Sequence, residues 1–451
     1  METEKLFQSK KEGQKRGLSV KKAWVVTVDM GYGHQRAAHP LKDIAYQHII
    51  TTNSDKLTTD KEKKLWRKTQ GFYEAISRTT SWPIIGKFLF SLYDKFQSIA
   101  EFYPNRDLSK PSIQSRYFEY LIKKKKLNFG LIEIIKRSRM PLVTTHFIPA
   151  LAAEYFGLKN AYCVVTDTDI NRAWLPMDPK HIHIFYLAPA EHTYKRLKQY
   201  GVPDDKLILT GFPLPKENLG GKNLHILKRD LGNRLPNLDP KKKYMHQLKK
   251  VLQSKLGHYY KNKSNHKLTL TFLTGGAGAQ KEIGIQMLES LKKKILDNEI
   301  RVYLTAGTRL EIAESYRSSI MSLGLGSRLG KNLHILFAWD KPSYFNSFNY
   351  LLHTTDILWT KPSELVFYTA LGLPIIIAPP IGAQEHYNKK WLMELGGGIP
   401  QENPRYTREW LFEWLENGRL AEAAFEGFRE APKLGVYNIE KIVLGKGAFK
   451  K

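Results

Sequence analysis

The feature that most constrains the fold is a strand followed by a glycine-rich turn and a helix, which occurs twice in the chain. The first copy begins with the run Ala23–Asp29 and continues through Gly31-Tyr32-Gly33-His34 into a helical pattern. The second begins with residues 268–274 and continues through Gly275-Gly276-Ala277-Gly278. Apolar, β-branched runs of this kind favour buried parallel strands, and this order of elements opens a doubly wound sheet. The sequence therefore predicts an α/β protein built from two copies of one architecture.

The length of 451 residues is too great for one ordinary core and suits two domains. Further strand-like runs occur in both halves, and a lysine-rich stretch separates the halves. We predict a basic flexible tail over 1–22, a first domain over 23–215 and a basic linker or insertion over 216–266. The second domain is predicted over 267–430. We predict a tail over 431–451, which could pack back on the first domain.

Composition narrows the classes of function without choosing among them. The net charge of +28 creates a field that attracts polyanions, which could be nucleic acid, an anionic membrane surface or a phosphorylated substrate. The single cysteine, Cys163, excludes a disulfide within the chain and fits a reducing compartment. Residues 1–22 do not resemble a signal peptide, and no apolar run approaches the length that spans a bilayer.

Polar groups follow successive predicted strands of the second half. The small residues of Gly275–Gly278 let backbone N–H groups approach a phosphate, although such a turn can also serve packing alone. Thr360–Glu364 follows a later strand, where Glu364 could receive ribose hydroxyls or could simply favour the start of a helix. Gln384 and Glu385 follow the last strand and offer the donors and acceptors that sugar hydroxyls require.

In this order, the motifs resemble a group of glycosyltransferases. The group contains monogalactosyldiacylglycerol synthases, processive diacylglycerol glucosyltransferases and the N-acetylglucosaminyltransferase that makes the peptidoglycan lipid precursor. The resemblance covers most of residues 23–400. In the second half it lies in Gly275–Gln280, Thr305–Thr308, Asp356–Glu364 and Gly382–Glu385 with Asn388. In the first half it lies in Gly31–His34, Cys163–Asp167 with Trp174, Gly201–Pro203 and Thr210–Pro213.

The resemblance implies a GT-B fold, in which two Rossmann-like domains face each other across a cleft. The first domain would bind the acceptor and the second a UDP-sugar, with no metal or other cofactor. The reaction would be an inverting transfer to a hydroxyl, which needs a base on the face opposite the leaving group. His34 is the candidate base because its near-neutral pKa suits taking a hydroxyl proton. Asp167 and His146 are second candidates, and His146 could equally be a packed or capping residue.

The remaining site residues are also carried over from the resemblance. On the acceptor side they are Gly31, Gly33 and Trp174. The donor-binding residues would be Gly275, Gly276, Ala277, Gly278, Gln280, Thr308, Ser363, Glu364, Gln384, Glu385 and Asn388.

Two positions depart from the family pattern. Aligned on Gly372-Leu373-Pro374, the family's ribose glutamate falls on Phe367, so either Glu364 substitutes for it or ribose recognition differs. Asn171 stands where a histidine is expected, three residues before Trp174.

Aromatic and basic residues mix in the predicted helical segment 60–104, which suits a membrane interface but also an ordinary packed hairpin. The lysine-rich stretch 241–263 could be a second contact. We therefore expect a lipid or lipid-linked acceptor, an anionic membrane surface as partner and a peripheral position on the cytoplasmic face, with no specific nucleic acid. The alternatives are a GT-B transferase with a soluble acceptor, a UDP-sugar 2-epimerase, a basic nucleic-acid-binding protein and an inactive nucleotide-sugar binder.

Overall fold

A computed structural model describes residues 22–68, 99–275, 278 and 280–445. The predicted tail 1–22, apart from Lys22, lies outside these ranges, as do Gly276 and Ala277 and residues 69–98 of the aromatic segment. The described strands form two six-stranded sheets whose neighbouring strands all pair in parallel. This arrangement confirms the predicted fold class.

The first sheet has the strand order β2-β1-β3-β4-β5-β6. Its strands are β1 Trp24–Thr27, β2 Ile50–Thr51, β3 Leu142–Thr144, β4 Ala161–Val164, β5 Phe185–Ala188 and β6 Leu207–Leu209. Strands β1 and β3 are buried along their whole length, as expected for parallel strands covered on both faces. The helices of this half are α1 Gly33–Ala38, α2 Ile113–Lys123, α3 Phe129–Ser138, α4 Phe147–Tyr155 and α5 Glu191–Gln199, and residues 60–68 are also helical.

The second sheet has the order β12-β11-β10-β7-β8-β9. Its strands are β7 Thr269–Leu273, β8 Arg301–Gly307, β9 Leu333–Phe337, β10 Ile357–Thr360, β11 Ile375–Ile377 and β12 Gly398–Pro400. The stretch between the two sheets forms the helices α6 Lys216–Leu219, α7 His225–Leu238, α8 Lys243–Gln247 and α9 Lys249–Leu256. The strands of the second sheet are connected through α10 Lys281–Leu296, α11 Leu310–Ser322, α12 Lys341–Leu351 and α13 Ala383–Glu394. The helices α14 Thr407–Glu416, α15 Arg419–Glu430 and α16 Gly435–Leu444 follow the last strand. Short 3₁₀ helices span His39–Ile44, Arg172–Trp174, Asp204–Lys206, Gly257–Tyr259, Gly326–Arg328, Glu364–Leu371 and Pro404–Tyr406.

The stretch predicted as a linker or insertion, 216–266, is largely helical and packs on the second sheet's domain. Arg234 of α7 is buried and donates hydrogen bonds to the carbonyl oxygens of Thr355, Leu371 and Gly372 at 2.8–2.9 Å. A buried guanidinium needs such acceptors, so these bonds hold α7 in place. This stretch therefore contributes to the second domain.

The end of the chain crosses back to the first domain. Asn438 of α16 donates to the carbonyl oxygen of Thr210 at 2.9 Å. Gly435 lies so close to the carbonyl of Phe212 that a side chain there would collide with it. In the described ranges, no helix has the length and apolarity needed to cross a membrane.

Candidate active site

A cavity of about 1140 Å³ lies between the two halves of the molecule. The carboxyl ends of parallel strands from both sheets border it, which is where open α/β sheets bind ligands. The structure brings most of the predicted site residues together in its lining, namely Gly31, Gly33, His34, His146, Asp167, Trp174, Gly275, Thr308, Ser363, Glu364, Gln384 and Glu385. Three predicted residues, Gly278, Gln280 and Asn388, lie beside the cavity without lining it.

His34 lies in the first turn of α1, held by the end of β3. Its Nδ1 lies 2.7 Å from the carbonyl oxygen of Thr145, and the Thr145 hydroxyl donates to the His34 carbonyl oxygen at 2.8 Å. Because a carbonyl only accepts, we assign the ring proton to Nδ1, which leaves Nε2 with a lone pair. Burial lowers the pKa of His34, against the opposing effect of the Thr145 carbonyl, so the imidazole is neutral at pH 7. His34 is thus arranged to accept a proton.

His146 stands next to His34, with ring centroids 4.6 Å apart, but its tautomer is the opposite one. It is the N-cap of α4, and its Nδ1 accepts from the backbone N–H of Ile148 at 3.2 Å. The proton of a neutral ring must then be on Nε2, which makes that nitrogen a donor. Burial, with His34 nearby, lowers the pKa of His146 well below its usual value. The geometry therefore suits a helix cap better than a base.

Asp167 follows β4 and is linked to both halves. Its Oδ1 accepts from the amide of Asn388 at 3.1 Å, while the Thr166 hydroxyl lies 3.5 Å from its Oδ2 and 3.3 Å from Nδ1 of His34. Burial raises the pKa of Asp167 to about 6, and the charges of Glu364 and Glu385 add to the effect. The carboxyl group can therefore change its charge near neutral pH.

Asn388 was predicted to bind the donor, and its side-chain amide is engaged with the first domain. Besides its bond to Asp167, its Oδ1 accepts from the backbone N–H and the hydroxyl of Thr168 at 2.9 and 2.8 Å. The residue is fully buried. Asn388 thus joins α13 of the second domain to the end of β4.

Glu364 lines the cavity from the 3₁₀ helix that follows β10, and it is paired with a residue that sequence reasoning missed. Arg36 of α1 donates from Nε to Glu364 Oε1 at 3.0 Å, and both side chains are buried. The guanidinium lies over the rings of Phe348 and Phe345, at 4.6 and 5.0 Å from their centroids. The only signal for this role in the sequence is the position of Arg36, two residues after His34.

Phe367, where the family pattern places a glutamate, lies in the core. It is buried and stacks on Phe212 with ring centroids 4.7 Å apart. Glu364 is thus the carboxylate that this 3₁₀ helix presents to the cavity.

Around the glycine turn of the second half, Gly278 has a φ of +73°, and a side chain there would collide with Ile312. Gln280 donates to the carbonyl oxygen of Pro379 at 2.7 Å, which ties the turn to the end of β11. Thr308 donates from its backbone N–H to the hydroxyl of Tyr32 at 2.9 Å. Tyr32, from the first half's glycine turn, therefore reaches across the cleft, a contact that the sequence did not reveal.

Gln384 and Glu385 begin α13 at the edge of the cavity. Glu385 forms an ion pair with Lys361, and its Oε2 accepts from the backbone N–H of Ile381 at 2.8 Å. Gln384 lines the cavity beside it. Lys361 directly follows β10, and no pattern in the sequence indicated its pairing with Glu385.

On the acceptor side, Trp174 is buried with its ring centroid 6.3 Å from that of His34. Asn171, at the position of the expected histidine, caps the short helix Arg172–Trp174 through a bond from the backbone N–H of Ala173 at 3.1 Å. Gln114 and Phe118 of α2 complete this wall of the cavity. In the part of the chain that the structure describes, no cluster of three or more metal-ligating side chains is placed to hold an ion.

Two curated proteins are similar to this chain over most of their length. Both are processive diacylglycerol beta-glucosyltransferases. The one from Bacillus subtilis (strain 168) is 20% identical over 393 residues, which cover 84% of this chain and 83% of that protein. The one from Bacillus pumilus (strain SAFR-032) is 21% identical over 393 residues, which cover 84% and 82%. No family model matches the chain.

Among solved structures, MurG of Acinetobacter baumannii aligns with 94% of this chain and 99% of its own, at 13% identity and a TM-score of 0.44. MnaA of S. aureus with UDP aligns with 94% and 96%, at 11% identity and a TM-score of 0.48. The UDP-GlcNAc 2-epimerase of Neisseria meningitidis bound to UDP-GlcNAc aligns with 93% and 100%, at 14% identity and a TM-score of 0.43. The sequence matches confirm the resemblance to the glycosyltransferase group, and with it the prediction of an enzyme.

Proposed function

We propose that this relative of the diacylglycerol glucosyltransferases is an inverting glycosyltransferase. It moves a hexose or an N-acetylhexosamine from a UDP-sugar to a hydroxyl of a lipid or lipid-linked acceptor. The observation that carries the proposal is the setting of His34, whose Nδ1 is engaged by the Thr145 carbonyl so that Nε2 is left to accept a proton. It lines the same cavity as Gly275, Glu364 and Gln384 of the other half.

In the proposed reaction, Nε2 of His34 takes the proton of the acceptor hydroxyl. The hydroxyl oxygen attacks the anomeric carbon of the sugar, and the bond from that carbon to the diphosphate oxygen breaks with its electron pair, releasing UDP. Attack on the face opposite the leaving group inverts the anomeric centre. The Thr145 carbonyl holds the neutral imidazole in the required tautomer before the transfer and accepts from Nδ1 of the imidazolium after it.

The second half is proposed to bind the donor without a metal. Backbone N–H groups of the glycine turn and the start of α10 would stabilise the charge of the leaving diphosphate. Gln384 and Glu385 would bind sugar hydroxyls, and Glu364 the ribose. All three side chains line the cavity.

The acceptor is proposed to arrive from a membrane surface that helix α2 contacts. Ile113, Tyr117 and Tyr120 form an exposed stripe on this helix, 80%, 40% and 48% exposed. The exposed lysines 123–126 follow directly. Aromatic rings and lysines together suit the headgroup level of an anionic membrane. Because Gln114 and Phe118 of the same helix line the cavity, contact through α2 would bring the lipid to the base.

The reaction is tested by incubating the purified chain with a panel of UDP-sugars, with and without vesicles of diacylglycerol and anionic phospholipid. UDP release and a glycosylated lipid that both require the vesicles support the proposal. Transfer to a soluble acceptor alone would favour that alternative, and formation of a 2-epimeric sugar without an acceptor would favour the epimerase. Binding of UDP-sugar without any turnover would indicate an inactive binder.

The membrane contact is tested by cosedimentation with anionic vesicles at the cytoplasmic pH. Replacing Ile113, Tyr117 and Tyr120 by serine is expected to weaken vesicle binding about tenfold or more, because three apolar side chains lose their burial. The matched control replaces three exposed apolar residues of the other half, Leu310, Met321 and Tyr350. Equal losses in both variants would exclude α2 as the contact.

A further inference from the structure

Among the residues that the structure describes, every cation that lines the cavity is paired with a carboxylate. These ranges contribute four cationic and five carboxylate side chains to the lining, although the whole chain carries a net charge of +28. Among the described residues the four cation–carboxylate pairs are Asp29–Lys341, Arg36–Glu364, Arg309–Glu311 and Lys361–Glu385. A diphosphate that binds a cation here therefore has to compete with, or share the cation with, one of these carboxylates.

The position of Lys361 distinguishes it from the other three. Strand β10 is hydrogen-bonded to β7, and Trp359 is in register with Phe272. Lys361 and Thr274 each follow the last residue of their strand, so continuing this register brings Lys361 level with Thr274, directly before the glycine turn. By contrast, Arg36 is enclosed by aromatic rings, and Lys341 pairs with Asp29 on the first domain. Arg309 pairs with a residue of its own helix start.

We infer that Lys361 is a ligand of the donor's diphosphate, and that the Glu385 carboxylate occupies the position of the phosphate oxygens until the donor binds. Lys361 Nζ exchanges the Glu385 carboxylate for phosphate oxygens, which are also strong acceptors for an ammonium group. This assignment rests on the proposed function, since it takes the ligand to be a nucleoside diphosphate.

The exchange couples diphosphate binding to sugar recognition. While Glu385 is paired with Lys361 and accepts from Ile381, both of its oxygens are engaged. Release from Lys361 frees Oε1 to accept a hydroxyl of the sugar. The same carboxylate thus competes with the diphosphate and then serves the sugar, so that removing it has the opposite effect on UDP binding from removing the lysine.

The test is a titration of the full chain with UDP and with uridine by calorimetry and ligand-observed NMR. In K361M we expect UDP binding to weaken about 10- to 100-fold, as for loss of a charged hydrogen bond, and uridine binding to stay within about twofold. In E385Q we expect UDP binding to strengthen about three- to tenfold, because the competing charge is gone. K390M is the matched control. Lys390 pairs with Glu394, and both lie on α13, the helix that carries Glu385, but outside the cavity.

Three results would overturn the assignment. UDP binding by K361M that equals wild type excludes Lys361 as a ligand, and the proposed function stands. Equal weakening in K361M and E385Q shows that the pair only orders the loop 381–385. A wild-type chain that binds neither UDP nor uridine overturns the donor site itself, and with it the proposed function.

Discussion

The two glycine turns begin the same kind of unit but supply different chemistry. The turn of the first half, Gly31–His34, carries side chains that bond to other elements. His34 bonds to the end of β3, and Tyr32 bonds to the second domain. The turn of the second half, Gly275–Gln280, consists of glycine and alanine up to its final glutamine. One turn therefore presents reactive side chains and the other presents backbone. Under the proposed function, the same architecture would be divided into a half for proton transfer and a half for holding phosphate.

The first turn also joins the halves together. Tyr32 bonds to Thr308 at the end of β8, and Arg36, one helical turn later, enters the aromatic cluster of Tyr344, Phe345 and Phe348. The glycines and alanines of the second turn have no side chain long enough to make such contacts. We therefore expect substitutions in the first turn and its helix to disturb the contact between the two halves.

The largest expected effect on stability is that of R36A. Removing one partner of a buried pair leaves the other as an uncompensated charge, so R36A should lower the free energy of unfolding by about 3–5 kcal/mol. The measurement is the urea-unfolding midpoint followed by tryptophan fluorescence. Replacing Glu364 by glutamine in the same chain should recover part of the loss, because the orphaned charge is then removed. K390A, which breaks an exposed pair with Glu394, should cost less than about 1 kcal/mol. A similar small cost for R36A would contradict the interdomain role of Arg36.

A smaller effect is expected where Tyr32 meets the second domain. Gly307 has a φ of +66°, and a Cβ there would lie 2.1 Å from the Tyr32 hydroxyl oxygen. G307A should therefore destabilise the chain by about 1–3 kcal/mol through strain and collision, measured by thermal unfolding. G330A is the control, since Gly330 also has a positive φ, of +81°, but open space beside it. If adding Y32A does not bring the cost of G307A down towards that of G330A, Tyr32 does not meet the end of β8 as described.

The smallest predicted effect is a shift of the pH profile. Asp167 loses its charge as pH falls through its raised pKa of about 6. Burial lowers the pKa of His34, the proposed base, which moves its protonation to lower pH. The acid limb of kcat/KM should therefore lie near pH 6 and reflect Asp167, and D167N should move it to lower pH. A limb that stays in place in D167N would assign it to another group.

The sequence predicted the fold from short runs of apolar and β-branched residues, which indicate strands without any knowledge of distant contacts. Residues 268–274, for example, contain β7 Thr269–Leu273, because a short run of apolar and β-branched residues before a glycine turn favours a buried strand. Because the carboxyl ends of parallel strands meet at one edge of a sheet, His34, Glu364 and Gln384 lie together in the lining of one cavity. The fold needed only the order of elements along the chain, whereas the choice of His34 also rested on the family resemblance.

What the sequence could not show are contacts between residues far apart. Arg36 and Glu364 are separated by 328 positions, and nothing in either local pattern indicates the other. The different tautomers of His34 and His146 are likewise set by which backbone group each ring faces. Such choices depend on packing between elements, which a pattern along one chain does not contain.

The central claim, that the first half performs the chemistry and the second half binds the donor, is tested most directly by H34A. The measurement compares the calorimetric Kd for UDP with kcat for transfer to vesicles, in wild type and H34A. H146N serves as the control, because asparagine preserves the N-cap of α4. We expect the Kd of H34A to stay within about twofold and its kcat to fall about 10²- to 10⁴-fold, as for loss of a general base, while H146N keeps most of its activity. Undiminished transfer by H34A, or a loss confined to UDP binding, would contradict the account.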